Sequence, residues 1–112
     1  MKELIQKLRE FATERDWDQF HSPKNLIMAL SVEVSEIVEI FQWLTEEESY
    51  KISPKKLEKI KEEIGDVLIY LVMFADKFDI DAIQAAKNKV EINRKNYPAN
   101  VARGTAKKYK EL

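Results

Sequence analysis

Apolar residues recur along the chain at intervals of three and four, and no stretch alternates as a half-buried strand would. Leu4, Ile5, Leu8, Phe11 and Ala12 form one stripe, which predicts a first helix from Lys2 to Arg15. The aromatic segment DWDQFH, residues 16–21, reads as a connection. Two further helices open with the same tripeptide, Ser-Pro-Lys, at Ser22 and again at Ser53. Serine supplies an N-cap oxygen, and proline at the first helical position forfeits no hydrogen bond. The first of these helices is expected to run from Pro23 to Leu44 and the second from Pro54 to Phe78, with the polar segment TEEESYKI between them. Asp79 and Asp81 can cap a fourth helix that continues to Asn96, because Pro98 disfavours helical backbone just before it. The pattern predicts an all-α, four-helix bundle whose two long middle helices pack antiparallel across a short connection.

Two pairs of acids break the apolar stripes: Glu33 and Glu36 in the second helix, Glu63 and Asp66 in the third. With about 100° per residue and Glu33 at zero, Leu26, Leu44 and Ile40 all fall within roughly 20° of it. Ser31, Ser35, Glu39 and Gln42 form the water-facing side instead, so Glu33 points from the middle of the apolar arc. Around Glu63, Phe74 and Tyr70 lie within about 20° and Asp66 about 60° away, which repeats the arrangement. Both pairs fall near the middle of their helices, so antiparallel packing brings them together at one depth. Four buried carboxylates without compensation would repel one another or take up protons at a large cost. A divalent cation relieves this, and an oxygen-only ligand set suits a hard ion such as magnesium or manganese. A di-iron carboxylate bundle would need Glu-x-x-His pairs; His21 precedes the second helix, belongs to no such pair, and reads as a structural or edge residue.

Composition narrows the class further. The chain has 112 residues, enough for one domain, and 19 basic against 20 acidic residues, so no basic field points to a nucleic-acid polymer. With no cysteine, disulfides, thiol nucleophiles and zinc-thiolate sites are excluded. The apolar run Val67–Ala75 is too short to span a bilayer, and the charged, amphipathic start is unlike a signal peptide, which leads to the expectation of a soluble, cytoplasmic protein without membrane partners. No P-loop, Rossmann glycine fingerprint or Ser/His/Asp set is present to support another chemistry. Residues 99–112 are small, polar and basic and are expected to form a mobile tail behind a domain of residues 1–98.

The spacing E-x2-E-x26-E-x2-D, from Glu33 to Asp66, resembles the metal motif of the all-α nucleoside triphosphate pyrophosphohydrolases, the MazG-like superfamily. ERDWDQFHSPKNL, ALSVEVSEIVEIFQW, EEIGDVLIYLV and NRKNYP resemble its dCTP pyrophosphatase branch in order and spacing, across residues 1 to 98. The resemblance implies hydrolysis of a nucleoside triphosphate between the α and β phosphates, giving a monophosphate and pyrophosphate. It implies that Glu33, Glu36, Glu63 and Asp66 are the catalytic acids and hold magnesium, with manganese as a possible substitute. It also implies substrate-binding roles for Trp17, Trp43 and Tyr70 around the base and sugar, and for Lys89, Asn93, Arg94 and Tyr97 at the phosphates. Leu8 stands where vertebrate members of the branch carry a histidine near the substrate, a departure that bears on base specificity. The substrate expected is dCTP, including 5-substituted forms, in nucleotide-pool house-cleaning; a relative acting on dUTP or a broad set of triphosphates, or an inactive helical interaction module, are the alternatives. The third helix is apolar around most of its circumference, more than one subunit readily covers, and relatives of this kind form dimers or tetramers. A homotetramer is expected, failing which a dimer.

Overall fold

The computed structural model describes residues 1–111, and all regular structure among them is helical. The elements are α1 (Lys2–Glu14), α2 (Pro23–Phe41), α3 (Pro54–Asp76), α4 (Ala82–Asn96) and the short α5 (Ala99–Ala102). Single 3-10 turns occur at Asp18–Phe20, Glu48–Tyr50 and Tyr109–Glu111. The chain divides into two compact units, one of Met1–Asp79 holding α1 to α3 and one beginning at Ile80.

In the first unit, α3 packs against both α2 and α1. The serine caps form as their chemistry requires: Ser22 Oγ accepts from the Asn25 N–H at 3.1 Å and Ser53 Oγ from the Lys56 N–H at 3.3 Å. Glu33 and Glu36 meet Glu63, while Glu39 and Ile40 share a cavity lining with Lys59. Rising positions on α2 thus meet falling positions on α3, so the two helices are antiparallel. Helix α2 stops at Phe41, three residues before its expected end. Beyond it Thr45 and Glu48 cap each other, the Thr45 N–H donating to Glu48 Oε1 at 2.9 Å and the Glu48 N–H to Thr45 Oγ1 at 3.1 Å. This reciprocal box starts a 3-10 turn and redirects the chain.

Helix α1 ends in a Schellman arrangement built on aspartate rather than glycine. Asp16 takes φ 53°, and the Trp17 and Asp16 N–H groups bond to the Ala12 and Thr13 carbonyls. Arg9 then clasps Asp76 of α3 with two bonds, Nε to Oδ2 at 2.9 Å and Nη2 to Oδ1 at 2.6 Å. Ala12, Leu26, Val72 and Ala75 are the buried apolar residues, a small core among the described residues.

The second unit is opened by Asp81, whose Oδ1 accepts from the Gln84 N–H at 2.9 Å. The segment after Pro98 carries α5 and the last 3-10 turn, and Tyr109 sets its ring edge-on to Tyr97 at 6.1 Å. Leu112, the last residue of the expected tail, lies outside the described residues. No helix of the described residues is long and apolar enough to cross a membrane.

Candidate active site

Facing turns of α2 and α3 bring three of the four predicted acids together. One carboxylate oxygen each from Glu33, Glu36 and Glu63 lies within 4.8 Å of the other two. Glu63 is buried, with 2 % of its surface exposed, and Glu33 and Glu36 are half-buried. Glu33 Oε2 and Glu63 Oε2 are buried without any hydrogen-bond partner. Asp66 stands outside this closest group. Its charge still acts on Glu33, and the residue lines the neighbouring cavity.

The electrostatics follow from that crowding. Burial pushes the Glu33 carboxyl up from 4.5 to about 7, helped by its contact with Glu63 and by the charges of Glu36 and Asp66. Glu36 is raised as well, first through its contact with Glu63 and then through burial. Glu63 moves the other way, because the Lys59 ammonium donates to it; Nζ lies 2.9 Å from Oε1. Without a cation the cluster therefore favours holding protons on α2 and a negative charge on α3.

A hard divalent cation fits this donor set. Oxygens bound about 2.0–2.6 Å from one ion are separated by at most roughly 4–5 Å, the spread of the three carboxylates. The two orphaned oxygens are acceptors with nothing to accept from, the state a cation would relieve.

Beside the cluster lies a cavity of about 250 Å³, lined by Leu8, Phe11, Trp17, His21, Asp66, Ile69, Tyr70 and Met73. The Schellman turn after α1 places Trp17 here, edge-on to the Phe11 ring at 5.6 Å and to the His21 ring at 6.3 Å. Asn25 Nδ2 donates to the Phe20 carbonyl at 3.0 Å and pins the intervening turn to α2. Tyr70 reaches the same cavity from one turn beyond Asp66, and Leu8 takes its place in the apolar lining. His21 is more than an edge residue: it lines the cavity and its Nδ1 is buried without a partner.

Trp43 is not among the residues of this cavity. It follows the end of α2 and is 86 % exposed. Lys89, Asn93, Arg94 and Tyr97 belong to the second unit. There Lys89, Asn93 and Arg94 are exposed, Arg94 Nε lies 3.5 Å from Glu91 Oε1, and half-buried Tyr97 closes α4. Sequence reasoning passed over Lys59, although its place four residues before Glu63 is the spacing at which helical side chains meet.

Helix α2 thus carries Glu-x-x-Glu and antiparallel α3 carries Glu-x-x-Asp beside an aromatic-lined cavity. The MazG-like family model matches residues 28–112, and the chain belongs to that family. It is 49% identical over 105 residues to human dCTP pyrophosphatase 1 and 47% identical to the Bos taurus protein of that name. Each match covers 92% of this chain and 62% of the relative, so the chain spans about three fifths of the length of these curated relatives. A solved pyrophosphatase from Archaeoglobus fulgidus superposes with a TM-score of 0.83 at 43% identity, covering 88% of this chain and 92% of that one.

Proposed function

We propose that the chain is a magnesium-dependent nucleoside triphosphate pyrophosphohydrolase that cleaves the α–β phosphoanhydride, with dCTP and 5-substituted dCTP as its preferred substrates. The observation that carries this reading is the meeting of Glu33, Glu36 and Glu63, with two orphaned buried oxygens, beside the cavity of Trp17, Tyr70 and Asp66. Identity of 46% or more to relatives named dCTP pyrophosphatase 1 supports the substrate class.

Glu33, Glu36, Glu63 and Asp66 hold the metal in this reading. Bound magnesium supplies neutralisation of the charge that develops on the phosphates. Glu33 or Glu36 orients the attacking water and accepts its proton. Trp17 offers an indole face to the base and Tyr70 a hydroxyl near the sugar. Stacking tolerates any base, so choice among bases falls to hydrogen bonds at the base edge. From the resemblance, Lys89, Asn93, Arg94 and Tyr97 are the candidates for the phosphate end.

The active form is an oligomer, with a homotetramer as the first choice. Ile27, Met28, Val32, Val38, Ile64 and Leu68 are all at least two-fifths exposed on α2 and α3, and so is Trp43 just after α2. Apolar surface on that scale favours association with further copies of the chain.

A screen of nucleoside triphosphates with magnesium, reading pyrophosphate, tests the reading. Pyrophosphate from dCTP and its 5-substituted forms is expected at rates among the highest. No pyrophosphate from any triphosphate overturns the activity; release from others but not from dCTP overturns the specificity alone.

A further inference from the structure

Among the described residues, one cation reaches the carboxylate cluster. Lys59 lies one turn before Glu63 on α3, with its Nζ 2.9 Å from Glu63 Oε1. The two partners differ sharply in setting: the Glu63 side chain is 2 % exposed and that of Lys59 is 55 % exposed. A buried carboxylate is thus met by an ammonium that keeps much of its water. Only one side of Glu63 is served, since Oε2 on the same carboxylate is buried with no partner. Lys59 also lines an open cavity of about 460 Å³ with Val32, Ser35, Glu36, Glu39 and Ile40. The ammonium can withdraw into that space without displacing packed side chains.

An ordinary helix-stabilising pair does not account for this contact. A lysine placed four residues before a glutamate is the weaker of the two orders on a helix, and exposed pairs of this kind contribute little. A carboxylate as buried as Glu63 has a larger need, because an uncompensated buried charge is costly.

We propose that Lys59 is a resident counter-ion of the carboxylate cluster, a positioning residue that holds the Glu63 carboxylate toward Glu33 and Glu36 until a divalent cation takes its place. The inference rests on the metal site proposed above. A cation that enters must draw Oε1 of Glu63 away from the ammonium and must tolerate that positive charge nearby. Lys59 therefore weakens metal binding while it keeps the empty site charged, folded and aligned.

Isothermal titration of the full chain with manganese, and thermal denaturation with and without manganese at pH 8, test this on the parent, Lys59→Met and Lys59→Arg. Lys59→Met keeps the aliphatic stem and removes the charge. It is expected to bind manganese on the order of tenfold more tightly than the parent. It is also expected to melt below the parent without metal and to show the larger rise in Tm on saturation. Lys59→Gln, with a different stem, should repeat both effects, whereas Lys59→Arg should bind like the parent. Affinity in Lys59→Met and Lys59→Gln within twofold of the parent, or weaker, overturns the inference and leaves the metal site standing. A parent that binds no manganese overturns the metal site and the inference with it.

Discussion

Glu33 on α2 and Glu63 on α3 each bury one carboxylate oxygen with no hydrogen-bond partner, yet their acidities are driven apart. Among the described residues no cation pairs with Glu33, and burial raises it to about 7. Glu63 touches Lys59 and is held below the ordinary carboxylate range. One side of the cluster thus tends to hold protons and the other tends not to. Such an asymmetry suits a site that exchanges protons and an internal ammonium for a divalent cation.

The first consequence is a pH dependence of stability. A carboxyl whose pKa rises on folding stabilises the folded state when protonated. Glu33 rises from 4.5 to about 7, so its contribution is complete below 4.5 and is lost as pH climbs through 7. Metal-free protein should lose stability relative to Glu33→Gln between pH 5 and pH 8, and the variant should be the more stable of the two at pH 8. Thermal denaturation at both values checks this. A parent and variant that keep the same difference in Tm at the two pH values would contradict the assignment.

The acids and the aromatics should separate in steady-state kinetics. Glu36→Gln is expected to lower kcat by about 10²-fold or more with little change in KM, since the acids proposed to hold the metal and to handle the water act in the transition state. Trp17→Ala is expected to raise KM about tenfold, the scale of a lost base–aromatic stack, and to leave kcat within a few-fold. The reverse pattern would mean that the two regions have been assigned the wrong way round.

The helix starts and the meeting of Glu33 and Glu36 with Glu63 were legible in the sequence because each is local or periodic, although of the four acids expected to be buried only Glu63 is. Ser22 and Ser53 announce their caps, and the wheel that puts Leu26 beside Glu33 is matched by a Leu26 that is 0% exposed. The limits are physical too. Trp43 could not be placed by helical phase because α2 ends at Phe41, two residues before it. The turn at Asp16 was hidden because an aspartate holds the left-handed position where glycine is the usual signal. Lys59 carries no mark in the sequence beyond its spacing from Glu63, since its importance lies in the burial of the residue it touches. Asp66 shares a helix and a near phase with Glu63, but the cavity it lines became visible only once Trp17 had turned back from α1.

Trp43 offers a test of the oligomer. An indole that is 86 % exposed beside apolar α2 is well placed to serve a second copy. Sedimentation at micromolar concentration should show a species larger than the 13.2 kDa chain. Trp43→Ala should shift the sedimenting species toward smaller sizes, because it removes apolar surface that a second copy would cover. A parent that sediments as a monomer would contradict the oligomer.

The bond broken is the most direct test of what the carboxylate cluster does. Hydrolysis of dCTP with magnesium in water enriched in heavy oxygen, followed by mass spectrometry of the products, locates the phosphorus that is attacked. Attack at the α phosphorus places the label on dCMP and leaves pyrophosphate unlabelled, which is the expected result, and Glu36→Gln should suppress it. Label in the pyrophosphate, or release of orthophosphate with dCDP, would contradict the account.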